Sequence, residues 1–252
     1  MNCCLPAVNP ARNPLPKYSM RNTLNLPDPA LKFVLLQRTA LQKLHFRWLT
    51  KLGIHYFPRF CNLEARWRRD AITQGFLASL QADFEDIENH LPLDPRRILD
   101  IGCGIGGIDV LLNDHYRPNG VHFHLLDKSS LAENVFYDFH DQAAFYNSLN
   151  LAHDFLKLNG VAESSVTCQE ATSDNRIHFD PGFGLIISLI SWGFHYPVTV
   201  YLAEVARVLA PTGALILDVR KGTTGLQDLR SCFSDVRVIS EKPKFLRLIA
   251  KR

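Results

Sequence analysis

The chain has 252 residues, 46% hydrophobic and 21% charged, with a formal net charge of +3. That length buries a full core as one domain with an appendage, and the composition is that of an ordinary globular protein. The small charge gives no argument for a nucleic-acid partner, and no apolar run approaches the roughly 18 residues of a membrane span.

The first residues, MNCCLPAVNPARNPLP, lack the apolar stretch of a secretory signal. The cysteines Cys3, Cys4, Cys61, Cys103, Cys168 and Cys232 form no CxxC pair, which reads as reduced thiols in a cytosol-like compartment. Cys3 and Cys4 are a lipidation site or part of an unmodified tail. Residues 1–28 carry five prolines, too many for a helix, and are expected as a disordered or extended arm.

From 29 to 52 the pattern turns helical. Val34, Leu41, Leu44, Trp48 and Leu52 fall on one side, with Lys32, Lys43, Arg47 and Lys51 on the other. Such a helix packs on the core with a solvated basic face, or lies on an anionic membrane surface. A second helix is expected over 63–91, with Ile72, Phe76, Leu80, Phe84 and Ile87 at helical spacing. It is basic at its start (Arg66, Arg68, Arg69) and acidic at its end (Asp83, Glu85, Asp86, Glu88), against the preference of the helix dipole. Residues 29–92 are thus read as a helical N-terminal extension and 93–252 as the main domain.

Strands and helices then alternate, which predicts a doubly wound α/β domain with a mostly parallel sheet. The expected strands are RILDIG (97–102), HFHLLD (122–127), SVTCQE (165–170), LIISLI (185–190), ALILDV (214–219), DVRVIS (235–240) and KFLRLIAK (244–251). The turn SEKPK between the last two predicts a hairpin and an antiparallel C-terminal strand.

The first strand runs into a glycine-rich turn and a helix start, "RRILDIGCGIGGIDVLL". Gly102, Gly104 and Gly107 match the dinucleotide fingerprint; Asp100, Gly102, Gly104 and Gly106 match a loop for S-adenosylmethionine (SAM). Both ligands need close backbone approach and free helix N–H groups. Asp100 separates them, because a carboxylate there suits an ammonium and repels a pyrophosphate. Asp127, about twenty residues on, can accept two ribose hydroxyls and serves either cofactor.

With "ILDIGCGIGG", the acid Asp127 and "VARVLAPTGALILDV", the chain resembles a class I, seven-stranded, Rossmann-like SAM-dependent methyltransferase over residues 70–252. The resemblance implies that Asp100, Gly102, Gly104 and Gly106, with Cys103, hold the methionine end of SAM. It places Asp127 and Lys128 at the ribose, Glu170 and Ala171 beside the adenine, and Ser188 on the cleft-lining fourth strand. Pro211, Thr212 and Gly213 supply the turn into the fifth strand. The family often opens its fourth strand with Phe-Asp; here Phe183 is followed by Gly184. Residues 128–150 are longer than the usual link and rich in aromatics (Phe136, Tyr137, Phe139, Phe145, Tyr146), an extra packed element or a substrate wall.

The acceptor side is expected just past the fourth strand, in "SLISWGFHYP", residues 188–197. His195 is the candidate general base, with Tyr196 beside it. Ser191, Trp192, Phe139, His140 and Tyr146 are candidate substrate contacts, and Asp141 joins His140 as a second-choice acid–base pair. Asp218 ends the fifth strand, facing the substrate or the turn that carries Arg220 and Lys221. No metal site is expected; His122 and His124 read as a pair on one strand face. "SWGFHYP" and the aromatic insertion also resemble bacterial sugar or polysaccharide O-methyltransferases. The expected activity is methylation of a small-molecule or saccharide hydroxyl in the cytoplasm, with membrane contact through 29–52 as a further expectation. An NAD(P)-dependent reductase and a non-catalytic SAM-binding module remain as alternatives.

Overall fold

The computed structural model describes residues 21–38, 41, 65, 67–129 and 148–252. Its centre is a seven-stranded sheet made of β1 (Arg97–Ile101), β2 (His122–Asp127), β3 (Val166–Glu170), β4 (Phe183–Ser188), β6 (Leu209–Arg220), β7 (Asp235–Glu241) and β8 (Phe245–Lys251). The order is β3-β2-β1-β4-β6-β8-β7. β8 runs antiparallel to both β6 and β7, so the expected C-terminal hairpin is present and its second strand is inserted between its neighbours. The remaining pairs, from β3 across to β6, are parallel. This is the Rossmann-like, mostly parallel α/β sheet that the alternation of elements predicts.

Parallel strands are covered on both faces, which is why the central ones read as nearly unbroken apolar runs. In β1, Ile98 packs into one core and Leu99 and Ile101 into the other. The first core lies under α1 (Asp28–Gln37), α2 (Arg69–Ile87), α3 (Gly107–Tyr116) and α4 (Leu149–Leu158); the second lies under α5 (Leu202–Val208) and α6 (Gly225–Cys232). Two-residue strand periodicity therefore turns Asp100 toward the α2–α3 face, at the carboxyl end of the strand.

Several boundaries differ from expectation. β4 begins at Phe183 and stops at Ser188, and a separate strand β5 (Ser191–Tyr196) follows, lying against β6. β6 begins at Leu209, directly after α5, and the Pro211–Gly213 turn forms a bulge within it, between the pairs Phe183↔Leu209 and Leu185↔Ala214.

α1 ends at Gln37, with Ala30, Leu31, Phe33, Val34, Leu35 and Leu36 all buried. It is covered nearly all round, not striped, because the chain on either side of it also packs down. Ahead of it, Leu24 and Leu26 are buried, and Arg21 reaches Asp114 at 2.7 Å and the backbone oxygen of Asn159 at 2.8 Å. Lys43, Leu44, Arg47, Trp48, Lys51 and Leu52, which carry the membrane-surface expectation, lie outside the described residues, as do Cys3, Cys4, Cys61 and Arg66. Among the described residues, no helix is long and apolar enough to cross a membrane.

α2 buries Ile72, Phe76, Leu80, Phe84 and Ile87 as the spacing predicts. Its inverted charge has a cause in the fold. Asp83 and Asp86, near its end, surround the guanidinium of Arg247, which is 0% exposed on β8.

Candidate functional site

The carboxyl end of β1 delivers Asp100, and Gly102, Gly104 and Gly106 follow with φ of 72°, 58° and 76°. All three lie in the left-handed region that glycine occupies without a steric penalty. At Gly104 the absence of a side chain is also spatial: a Cβ would sit 2.7 Å from Oε1 of Gln37, which α1 presents over the loop. Gly106 caps α3, whose first turn opens toward the loop. Gly107, third glycine of the dinucleotide pattern, serves helix packing instead. A Cβ there would be 2.7 Å from the Phe76 ring of α2.

Asp127 ends β2 and braces the loop. Its Oδ2 accepts the Gly104 N–H at 2.8 Å and its Oδ1 accepts the Lys128 N–H at 2.7 Å. Cys103 is buried with its Sγ 4.0 Å from Asp127 Oδ2. Burial first, then Asp127, raises its thiol well above the usual range, so it stays protonated.

Asp100 does not stand alone. It is 4% exposed, and beside it lies Asp109 of α3, 0% exposed, its carboxyl close enough to Asp100 for the two to share a proton. Burial pushes the Asp109 carboxyl up to about 7. Burial first, then Asp109 and Asp127, raises Asp100 well above an ordinary carboxylate. Three acids gathered at one glycine loop make a place that calls for a cation and resists an anion.

The opposite wall is the corner between β4 and β5. Ile190 has φ of 53°, a strained value for a β-branched residue, and its N–H donates to Oδ2 of Asp218 at 3.1 Å. Asp218 is itself held by Arg247, at 2.7 and 2.9 Å. The corner turns Ser191 toward Gly102, and β5 then carries Phe194 and His195 along the wall. His195 is half-buried, with Nδ1 unpartnered among the described residues. Burial first, then the charge of Arg220, lowers its imidazole to about 4.

Together these walls enclose a cavity of about 430 Å³. Asp100, Gly102, Cys103, Gly104 and Asp127 line one end; Ser191, Phe194, His195, Arg220 and Lys244 line the other; Gln37 and Arg38 close over it from the N-terminal helix.

No family model matches the chain, and no curated protein does. Its likeness is to solved structures. One is a candidate O-methyltransferase from Nostoc punctiforme PCC 73102, at 15% identity and TM-score 0.49, over 70% of this chain and 58% of that one. Another is the precorrin-6y C5,15-methyltransferase of Geobacter metallireducens GS-15, at 15% identity and TM-score 0.47, over 69% and 86%. A third is a TehB-like SAM-dependent methyltransferase of Corynebacterium glutamicum, at 18% identity and TM-score 0.46, over 76% and 96%.

Not every expected site residue reaches the cavity. Ser188 is fully buried; its hydroxyl donates to the Ile101 carbonyl at 2.7 Å and accepts the Trp192 N–H at 3.0 Å, tying strand ends together below the floor. This is a correction to its place as a cofactor contact. Trp192 is likewise a core residue at 0% exposure, its Nε1–H donating to the Val198 carbonyl at 2.9 Å, so it is no acceptor wall. Tyr196 is not among the lining residues; its ring lies 6.4 Å from that of Tyr201, its hydroxyl is bonded to Ser191 of the wall, and burial raises it above the usual range. Asp218 holds the corner and does not face the substrate side.

Glu170 and Ala171 sit at the end of β3, where Glu170 Oε1 accepts the Ser129 N–H at 2.6 Å and Ala171 N–H bonds Asp127 O at 2.8 Å. Lys128 is exposed beside them. Phe136, Tyr137, Phe139, His140, Asp141, Phe145 and Tyr146 lie outside the described residues. His122 and His124 stack at 4.7 Å, His122 against Thr167 and His124 against Arg97.

Gln37, Arg38, Asp109, Arg220 and Lys244 escape a motif reading. Asp109 alone carried a signal, as a second acid nine residues after Asp100 in an otherwise apolar helix start.

Proposed function

We propose that this chain is a SAM-dependent methyltransferase acting on the hydroxyl of a small-molecule or saccharide acceptor. The observation that supports it most is the cluster of Asp100, Asp109 and Asp127 at the glycine loop. The amino-acid tail of SAM brings an ammonium to such a cluster and relieves its repulsion, whereas a pyrophosphate adds two negative charges to it. Asp100 would bind the ammonium, the Gly102–Gly106 turn would let the tail approach the backbone closely, and Asp127 would accept the ribose hydroxyls. Glu170 and Ala171 flank the adenine side, with Lys128 next to the ribose. When bound, SAM supplies an electrophilic methyl group on a positively charged sulfur.

The other end of the cavity handles the acceptor. His195, neutral at pH 7 because of its burial and the nearby Arg220, takes the hydroxyl proton; Ser191 helps to orient the acceptor. Calorimetry with S-adenosylhomocysteine and with NADH tests the cofactor half. Micromolar binding of the former, none of the latter, and at least tenfold weaker binding by Asp100→Asn is the expected pattern. Uptake of NADH with no response to S-adenosylhomocysteine overturns the proposal.

A further inference from the structure

The cavity is charged in opposite senses at its two ends. The acids of the glycine loop occupy one; the His195 end carries Arg220 and Lys244. These two cations are brought together by the antiparallel insertion of β8. Arg220, last residue of β6, pairs across the ladder with Phe245, first residue of β8. The neighbouring Lys221 N–H donates to the Lys244 carbonyl at 3.0 Å, which fixes the Lys244 backbone next to the end of β6.

The aromatic lining completes the arrangement. The Arg220 guanidinium lies 5.4 Å from the centre of the Phe194 ring. Phe194 in turn meets His195 edge-on at 4.9 Å and Phe245 at 5.6 Å. Arg220 is half-buried, its charge near enough to bear on the His195 ring.

Resting on the methyl-transfer reading, we propose that the acceptor carries an acidic group, a carboxylate or a phosphate, which Arg220 and Lys244 hold while its hydroxyl faces His195. A neutral saccharide gains nothing from two cations placed beside the base. An acidic acceptor gains two charge-assisted contacts in a partly desolvated site. Its anion also makes the imidazole a better proton acceptor, by offsetting the Arg220 charge. The ring of Phe194 under the guanidinium limits its motion, so the acid meets a donor fork already in position.

The test uses the full chain loaded with S-adenosylhomocysteine, with inorganic phosphate and acetate as probes, each compared with chloride at equal ionic strength. The His195 ring is followed by NMR as a function of pH. At least one of the two anions is expected to make the ring tenfold or more easier to protonate. The response should vanish in Arg220→Gln/Lys244→Gln and return in part in Arg220→Lys. Which anion acts tells a phosphate acceptor from a carboxylate one. No response to either anion, or an undiminished response in the double variant, overturns the proposal. The heat of S-adenosylhomocysteine binding, read on the same samples, reports the cofactor reading separately, and the anion titration is repeated on the unloaded chain if that heat is absent.

Discussion

His195 reached its site by position, and its environment decides its chemistry. A histidine seven residues past the fourth strand is no more than a candidate; burial and the Arg220 charge are what keep it unprotonated through neutral pH. At saturating SAM, kcat/KM for the acceptor, which reports the ring before the acceptor binds, should be flat from pH 8 down to about 5 and fall only as the ring becomes charged near 4. His195→Ala is expected to lower kcat about a hundredfold while leaving S-adenosylhomocysteine affinity within about twofold, as measured by labelled-methyl transfer and calorimetry. Loss of both together would make the residue structural. Gly184 shows the same dependence on surroundings from the other side. A Cβ there would lie 2.5 Å from the Pro95 Cα, so the chain that enters β1 excludes the acid that often opens the fourth strand.

Among the elements, the acidic end of α2 is explained only by β8. Arg247 is wholly buried and touches Asp218 on β6 and Asp83 and Asp86 on α2, so one guanidinium joins the last strand, its neighbour and the helix over the sheet. Asp218 in turn holds the strained Ile190 corner. Replacing Arg247 by Met strands the buried Asp218, while Asp83 and Asp86 keep Arg38 and Lys242, and should cost about 3–5 kcal/mol, seen as a drop of roughly 10 °C in thermal unfolding. Arg247→Met combined with Asp218→Asn should recover part of that loss; a double variant no more stable than the single one would mean that the pairing contributes little.

The periodicity of β1, β2 and β4 and the buried stripe of α2 were legible because burial on fixed faces writes itself into a short window. The network was not, because its members lie 29 and 164 residues apart and only the insertion of β8 brings them together. β5 was hidden for a related reason. SWGFHY lacks strand-like alternation of polarity, since Trp192 is used in the core and His195 in the cavity, and a bend at Ile190 starts it. At the site, the glycine loop and the two acids Asp100 and Asp127 were legible as a local motif. Arg220 and Lys244 were not, since nothing in either neighbourhood refers to the other.

For the molecule as a whole, the acid pair couples cofactor, stability and pH. Asp109 titrates near 7 in the folded chain and Asp100 well above its ordinary value, against about 4 in an unfolded one. The folded state therefore binds more protons than the unfolded state in this range, and stability must fall as pH rises through the folded-state values. His124 and His195, both lowered to about 4, act in the opposite sense until the unfolded histidines have lost their protons, which with a pKa near 6.5 is complete only by about pH 8. Across the window from pH 6.5 to 8 the carboxyl contribution is therefore read as the difference between the wild type and Asp109→Asn, in which the histidines cancel. A single group near 7 is worth about 1 kcal/mol across it, a fall of about 3 °C in the melting temperature. Asp109→Asn should flatten that fall. Saturating S-adenosylhomocysteine, whose ammonium compensates the ionised pair, should stabilise the chain more at pH 8 than at pH 6.5. A slope of melting temperature with pH that Asp109→Asn leaves unchanged would show that the two carboxyls are not the titrating pair.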